Sequence, residues 1–325
     1  MPKSKIYKKR RPEGNYYDNL LIDIPRLYLK FPFSNKNFSK VYKQPLVQSL
    51  FHKIYQNILI PLKYRVYLWY LLRRTNLDLT WFDQFKLYWS QILKGRPLWG
   101  VQDFYFLRNT YRLKFKDNRI PQEANTKAHL GAWQDPGLLY QLFHQVYKES
   151  LFNKIDILRY INKYKVNKIG SLLEFGCATA PIITTLVDFY NINKYMKIYV
   201  SDIQTLSFHY AMYKFRNFPN VFPILLKPEN NFLLEFNKKV DVIFCIEVFE
   251  HLNKPLATIK IFHKILEKDG LLIFDYIKSE GTGLNTSQGV RERKSVLEFI
   301  NKHFHLVKGD INEKNNIYLS VVRKK

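Results

Sequence analysis

The stretch Leu172-Leu173-Glu174-Phe175-Gly176-Cys177-Ala178-Thr179-Ala180 constrains this chain more than any other. An apolar run ends in an acid, a glycine and small residues, and the apolar-periodic segment Pro181–Tyr190 follows. That order reads as strand, tight turn, helix. In a doubly wound sheet such a turn sits at the C-terminal edge of parallel strands, where a ligand can lie against the backbone. Small residues after a strand also serve plain close packing of helix on strand, so the turn alone leaves both readings open.

The make-up of the turn narrows the ligand. A pyrophosphate cradle wants a run of glycines at a helix N-terminus, whereas Gly176 is followed by Ala178 and Ala180. No Lys-Ser or Lys-Thr pair follows, which excludes a P-loop. Glu174 would repel a diphosphate and suit a cation. S-adenosylmethionine, with a sulfonium and an amino group and no phosphate, meets that requirement.

Downstream, Lys197–Asp202 reads as a second strand ending in an acid, one βαβ unit on, where an acid meets ribose hydroxyls. Val221–Leu226 and Val240–Ile246 read as the third and fourth strands. A helix over Pro255–Glu267 leads through Asp269-Gly270 into a fifth strand, Leu271–Tyr276. The pair His305–Ile311 and Asn316–Arg323 closes the chain as a hairpin. The pattern predicts an α/β fold: a Rossmann-like, doubly wound, mostly parallel seven-stranded sheet with an antiparallel C-terminal hairpin.

With these landmarks in order, residues from about 150 to 325 resemble a class I S-adenosylmethionine-dependent methyltransferase. The residues that carry the resemblance are the Glu174–Ala180 turn, Asp202, the Glu247–Leu252 segment, and the Pro255 helix with its Asp269-Gly270 turn. Ala178 and Ala180 stand where many members have glycine. The resemblance implies S-adenosylmethionine as cofactor. Glu174, Gly176 and Ala178 would meet its methionine part, Asp202 with Ile203 its ribose, and Cys245 and Ile246 would line the methionine side. Glu229, Asn230 and Asn231 are the candidates for the adenine, with no choice among them. A segment before the first strand often forms a lid in this family, which makes Trp133 and Tyr140 lid aromatics; anchoring of the domain junction by Trp133 is the equal alternative.

Glu247, Glu250 and His251 follow the fourth strand at i, i+3 and i+4, which on a helix is one face. Two carboxylates and an imidazole there would suit Mg²⁺ or another divalent metal, which lowers the pKa of an acceptor hydroxyl. Without metal, His251 with Glu250 would act as the general base. The Glu-x-x-Glu-His string resembles the ubiquinone-biosynthesis O-methyltransferases and the methyltransferases of small-RNA 2′-hydroxyls. The bland alternative is that the acids and the histidine hold the loop.

Charge frames the partners. Of the net +25, residues 1–150 hold 26 Lys and Arg against 10 Asp and Glu, and all five Trp lie there. Residues 1–127 read as a basic, aromatic-rich, mainly helical region, 128–164 as lid or linker helices, and 165–325 as the methyltransferase domain. The interleaved Lys63, Tyr64, Arg65, Tyr67, Trp69, Tyr70, Arg73 and Arg74 suit an anionic membrane surface or a nucleic-acid backbone. The plainer reading is a small domain's own core with a solvated rim. The two cysteines, Cys177 and Cys245, fall in or beside predicted strands and read as buried thiols of a reducing, cytoplasmic compartment. No apolar run approaches the ~18–20 residues of a spanning helix, and no secretory signal is visible at the N-terminus.

The expected function is O-methylation of a small molecule or glycan intermediate, with an anionic membrane surface as a second contact. RNA 2′-O-methylation is the alternative, and a non-catalytic cofactor-binding protein the third reading. Because every landmark lies after residue 150, the sheet domain is expected to bind cofactor without residues 1–125.

Overall fold

The computed structural model describes residues 81–93, 139–148, 169–190, 196–278 and 285–325, with isolated positions at 54, 98, 104, 107, 108, 161, 163 and 164. The basic-aromatic stretch 63–74 and Trp133 lie outside the described residues, and so do most of the helices expected before residue 127.

Seven strands form one sheet in the order β3-β2-β1-β4-β5-β7-β6. They are β1 (Ser171–Phe175), β2 (Lys197–Asp202), β3 (Val221–Leu225), β4 (Val240–Cys245), β5 (Leu266–Tyr276), β6 (Phe304–Lys308) and β7 (Ile317–Lys324). The first five run parallel, and β7 is antiparallel to both β5 and β6. Strand order reverses between β1 and β4, which opens the crevice where such sheets bind ligands.

The central strands are apolar on both faces because helices cover both. Ile259, Phe262 and Ile265 of α5 (Pro255–Ile265) and Val296, Leu297 and Ile300 of α7 (Arg293–His303) pack on one side with Leu173, Ile243 and Leu272. Ile182 and Ile183 of α3 (Pro181–Tyr190) and Phe208, Ala211 and Met212 of α4 (Leu206–Phe215) pack on the other with Leu172, Val200 and Val242. The short α6 (Ser287–Arg291) precedes α7 and starts at the Thr286 cap, whose hydroxyl accepts from the Gly289 amide. The expected Asp269-Gly270 turn survives as an irregularity inside β5: Val240 pairs with Leu266 and Val242 with Leu271, and Asp269 has φ +62°.

A third apolar cluster joins the region before the sheet to α4. In α2 (Leu139–Lys148), Leu139, Leu142, Phe143 and Val146 recur at helical spacing and are buried. The Phe143 ring lies 5.0 Å from Phe85, 5.2 Å from Trp89 and 5.1 Å from Phe104. Phe85 belongs to α1 (Trp81–Leu87), which continues as a π-helical turn, Tyr88–Ile92. Phe85 and Tyr88 in turn pack against Tyr210 of α4, at 5.6 and 4.9 Å. So these aromatics form a core, and that core is continuous with the sheet domain.

Candidate functional site

A cleft opens at the carboxyl ends of β1, β2 and β4. Its volume of about 120 Å³ is roughly ten times the space one water needs, so it takes a ligand of several parts. Its wall is built by the turns that follow the strands, and these turns hold unusual backbone. Gly176, Ala178 and Ala180 have φ of +65°, +48° and +52°. Asn231, Phe232 and Glu247 are left-handed too, at +57°, +60° and +57°. For an L-residue that conformation costs roughly 1–2 kcal/mol, and such residues gather at ligand sites. A Cβ on Gly176 would stand 2.4 Å from Val248 Cγ2, so only glycine lets the turn pass this close to the loop after β4.

Glu174 does not line the cleft. Its buried carboxylate accepts the Ile182 and Ile183 amides, at 3.3 and 2.9 Å, and so caps α3. An acid at a helix N-terminus is favoured by the helix dipole as well as by the bare amides. Its charge is therefore held by the fold, one layer behind the position expected from the sequence.

Asp202, at the end of β2, does line the cleft together with Ile203. Its Oδ2 accepts the Ala178 amide at 2.5 Å and its Oδ1 the Ile203 amide at 2.7 Å. Burial pushes its pKa up to about 6, and the two amides only partly offset that. Further hydroxyl donors would relieve a carboxylate held this way. Of the three adenine candidates, Asn231 reaches the wall, beside Phe232, while the Asn230 amide donates to the Leu233 carbonyl. Cys245 and Ile246 fall behind the wall. Burial, then the charges of Asp275 and Glu250, raise the Cys245 thiol well above its ordinary value, and Ile246 packs into the core.

The segment after β4 differs from the expected helix. Glu247 is left-handed and donates its amide to Asp275 Oδ1 at 2.6 Å, and only Phe249–His251 form a 3-10 turn. The i, i+3, i+4 face therefore does not form. Glu247 and His251 line the cleft, whereas Glu250 is buried, its Oε1 4.0 Å from His251 Nε2. The described residues contain no group of three or more His, Cys, Asp or Glu side chains placed to hold one ion. The expected ligand set of Glu247, Glu250 and His251 is not assembled, and no step is assigned to a metal.

Thr286 brackets the histidine. Its amide donates to the Glu250 carbonyl at 3.0 Å and its hydroxyl to the Leu252 carbonyl at 2.6 Å. Behind it, a Cβ on Gly289 would stand 2.3 Å from the Glu250 carbonyl oxygen. The Tyr276 hydroxyl donates to the Gly289 carbonyl, and its ring stacks on Phe249 at 5.2 Å. The His251 backbone is thus fixed from two sides.

Several wall residues had no signal in the sequence. Gln141 and Gln145, one turn apart on α2, close the cleft from the helix that precedes the sheet, and Asn253, Lys254 and Thr258 extend the wall beyond His251. Only the packing of α2 on α4 and α3 brings the glutamines there. The side chain of Tyr140 is outside what the structure describes.

The cleft fits S-adenosylmethionine. Asp202 would take the ribose diol, the apolar Ile203, Leu226 and Phe232 the adenine, and the Gly176 turn the methionine part, with Glu247 opposite its positive charge. Among the described residues of the wall, none forms a diphosphate cradle.

A family described as a methyltransferase domain matches residues 143–310, just over half of the chain. Among solved structures, the chain is similar to a SAM-dependent methyltransferase from Aquifex aeolicus, at 17% identity over 62% of this chain and 98% of that one, with a TM-score of 0.40. The N-methyltransferase NodS from Bradyrhizobium japonicum, in complex with S-adenosyl-L-homocysteine, matches at 14% identity over 53% of this chain and 85% of that one, TM-score 0.38. A putative rRNA-methylase from Clostridium thermocellum matches at 16% identity over 53% and 95%, TM-score 0.38. No curated protein sequence matches.

Proposed function

The chain belongs to the methyltransferase domain family, and from that premise we propose that this S-adenosylmethionine-dependent methyltransferase methylates a hydroxyl group of a small molecule or glycan intermediate. The observation that carries the choice of oxygen is His251, which lines the same cleft as Gly176 and Asp202 with the Glu250 carboxylate 4.0 Å behind it. A hydroxyl must lose its proton as it attacks carbon, and a neutral imidazole is suited to take it near neutral pH.

S-adenosylmethionine, when bound, supplies a methyl group on a sulfonium centre. Asp202 and the Gly176 turn would orient it. The methyl group would pass to the acceptor oxygen, with the electron pair of the broken carbon–sulfur bond left on sulfur. His251 holds the acceptor proton, and Glu250 stabilises the imidazolium that results. Positioning supplies most of the acceleration in such a displacement.

The test is transfer of labelled methyl from S-adenosylmethionine by the full-length protein to separate pools of hydroxylated small molecules, glycolipid vesicles and RNA. The expected product is an alkali-stable ether in the first pool. His251→Ala should remove transfer and leave S-adenosylhomocysteine affinity unchanged by calorimetry. Label on RNA would replace this reading with 2′-O-methylation, and binding without transfer to any pool would favour a non-catalytic protein. The surplus of Lys and Arg in residues 1–150 supports a vesicle-borne acceptor as the second reading, tested by flotation on anionic vesicles. No helix among the described residues is long and apolar enough to cross a membrane.

A further inference from the structure

We infer that Asp275 is a positioning residue that holds Glu247 toward the sulfonium of S-adenosylmethionine, so that the cleft favours the charged cofactor over its thioether product. The inference rests on the reading of the cleft as the site of cofactor and acceptor.

Glu247 is an exposed residue two positions past the end of β4, and it lines the cleft. Its φ of +57° is a conformation for which glycine or asparagine is the ordinary choice. It is held from behind, where the Glu247 amide donates to Asp275 Oδ1 at 2.6 Å. Asp275 is buried near the end of β5. That strand pairs with β4, Cys245 beside Phe274, so the anchor belongs to the sheet. Burying a carboxylate is costly, and a neutral Asn oxygen would accept the same amide. What the acid adds is charge. That charge is felt nearby: after burial itself, Asp275 is the next cause that lifts the Cys245 thiol well above its ordinary value.

The neighbours of Glu247 say which cationic centre it would face. Val248, the next residue, meets the Gly176 turn, where a Cβ would stand 2.4 Å from Val248 Cγ2. His251, four residues on from Glu247, lines the same wall. Glu247 thus stands on the segment that runs from the turn read as the seat of the methionine part to the histidine read as the acceptor's base. The group that changes charge there is sulfur, positive before transfer and neutral after it. A carboxylate at that place attracts the first state and not the second. The amino group of the cofactor keeps its charge in both and gives no such preference. Loss of the attraction at transfer favours release of the product.

The test is calorimetry on the full-length protein with S-adenosylmethionine and with S-adenosylhomocysteine, without acceptor. In Glu247→Gln the ratio of the two affinities should shift about fivefold toward the product, the size expected for an exposed charge pair, with S-adenosylhomocysteine affinity within about twofold of wild type. Asp275→Ala, which removes the anchor, should give a similar shift. Asp275→Asn keeps an oxygen for the Glu247 amide but not the charge, and should shift the ratio about twofold. An unchanged ratio in Glu247→Gln would overturn the inference. So would an equal loss of both ligands in Glu247→Gln, which would assign that carboxylate to the amino group. An equal loss of both ligands in Asp275→Ala would leave Asp275 a merely structural group and overturn its positioning role. Should Asp275→Ala not fold, a wild-type ratio in Asp275→Asn overturns that role instead. Failure of wild type to bind either ligand would remove the reading of the cleft on which the inference depends.

Discussion

The backbone amide of Ala178 donates to the carboxylate of Asp202 across 2.5 Å, so the turn after β1 and the end of β2 are tied directly to one another. A ligand that engages Asp202 therefore also meets a turn already fixed in a left-handed conformation. The wall is organised before the cofactor arrives.

Asp202→Asn removes the charge of this junction and sets an NH2 group against one of the two backbone amides that the carboxylate accepts. Hydrogen bonds to a charged group are worth ~1.5–3 kcal/mol, so S-adenosylhomocysteine affinity should fall roughly ten- to a hundredfold. The pH dependence has a definite sign. Because the pKa is raised to about 6, the stability linked to this group is fully present below its ordinary value and is lost as pH rises through 6. Cofactor affinity runs the other way, since the ionised carboxylate is the better acceptor, and should fall as pH drops below 6. Calorimetry and thermal melts from pH 4.5 to 8 should show opposite slopes, both flattened in Asp202→Asn. Parallel slopes would mean that Asp202 does not face the ribose.

Gly176→Ala should be destabilising for two separable reasons. The φ of +65° costs an L-residue roughly 1–2 kcal/mol, and the new methyl group meets Val248 Cγ2 at 2.4 Å. Val248→Ala in the same chain should recover the steric part and leave the backbone part. A double-mutant cycle on melting temperature measures the coupling. Strict additivity would show that the turn and the loop after β4 are not in contact.

Thr286→Val removes the hydroxyl that both caps α6 and holds the Leu252 carbonyl, at a cost of ~1 kcal/mol for the cap. Methyl transfer should drop while S-adenosylhomocysteine affinity stays, because the bracket acts on His251 and not on the cofactor turns. Thr286→Ser, which keeps the oxygen, should restore transfer. A serine variant as impaired as the valine would assign Thr286 to packing alone.

Much of the sheet was legible because its signals are local. β1, β2 and β4 are short apolar runs closed by acids and turn residues, and the turn from Gly176 to Ala180 is coded within nine positions. The first misreading came from Glu174, where type and place were right but the carboxylate turned back onto Ile182 and Ile183. The second came from Glu247, whose left-handed backbone breaks a helical face that spacing alone would predict. Gln141, Gln145 and Lys254 were invisible for a different reason. Their presence in the wall depends on how α2 and α5 dock, which no local pattern records.

His209 on α4 carries a second pH effect. Its Nδ1 lies 2.5 Å from the Tyr88 hydroxyl, and burial lowers its pKa to about 3. The neutral ring is what the fold accommodates. Stability linked to it is present above the ordinary histidine value and is lost as pH falls from there toward 3, by up to about 1.4 kcal/mol per pH unit. Denaturant melts of His209→Gln should lose this acid-side slope. An unchanged slope would place the acid sensitivity elsewhere.

The aromatic layer that includes Tyr88 also bears on truncation. Residues 1–125 supply Phe85, Tyr88, Trp89 and Phe104, which cover Phe143 on α2 and Tyr210 on α4. Each such side chain contributes ~1.5–3 kcal/mol when fully buried. Without that cover, Leu139, Leu142, Phe143 and Val146 would face water, and α2 would lose the surface that seats it. Gln141 and Gln145 lie on the same helix and line the cleft, so loss of seating reaches the ligand. The expectation that residues 126–325 alone bind cofactor is therefore reversed. The truncated chain should aggregate on size exclusion, or bind S-adenosylhomocysteine at least tenfold more weakly than full length, in line with about 1.4 kcal/mol or more of lost wall contacts. In the full chain, Phe85→Ala should reproduce part of the affinity loss from a residue that never touches the cleft. Full affinity in both proteins would show that the sheet's own turns suffice and that α2 closes the cleft without contributing to it.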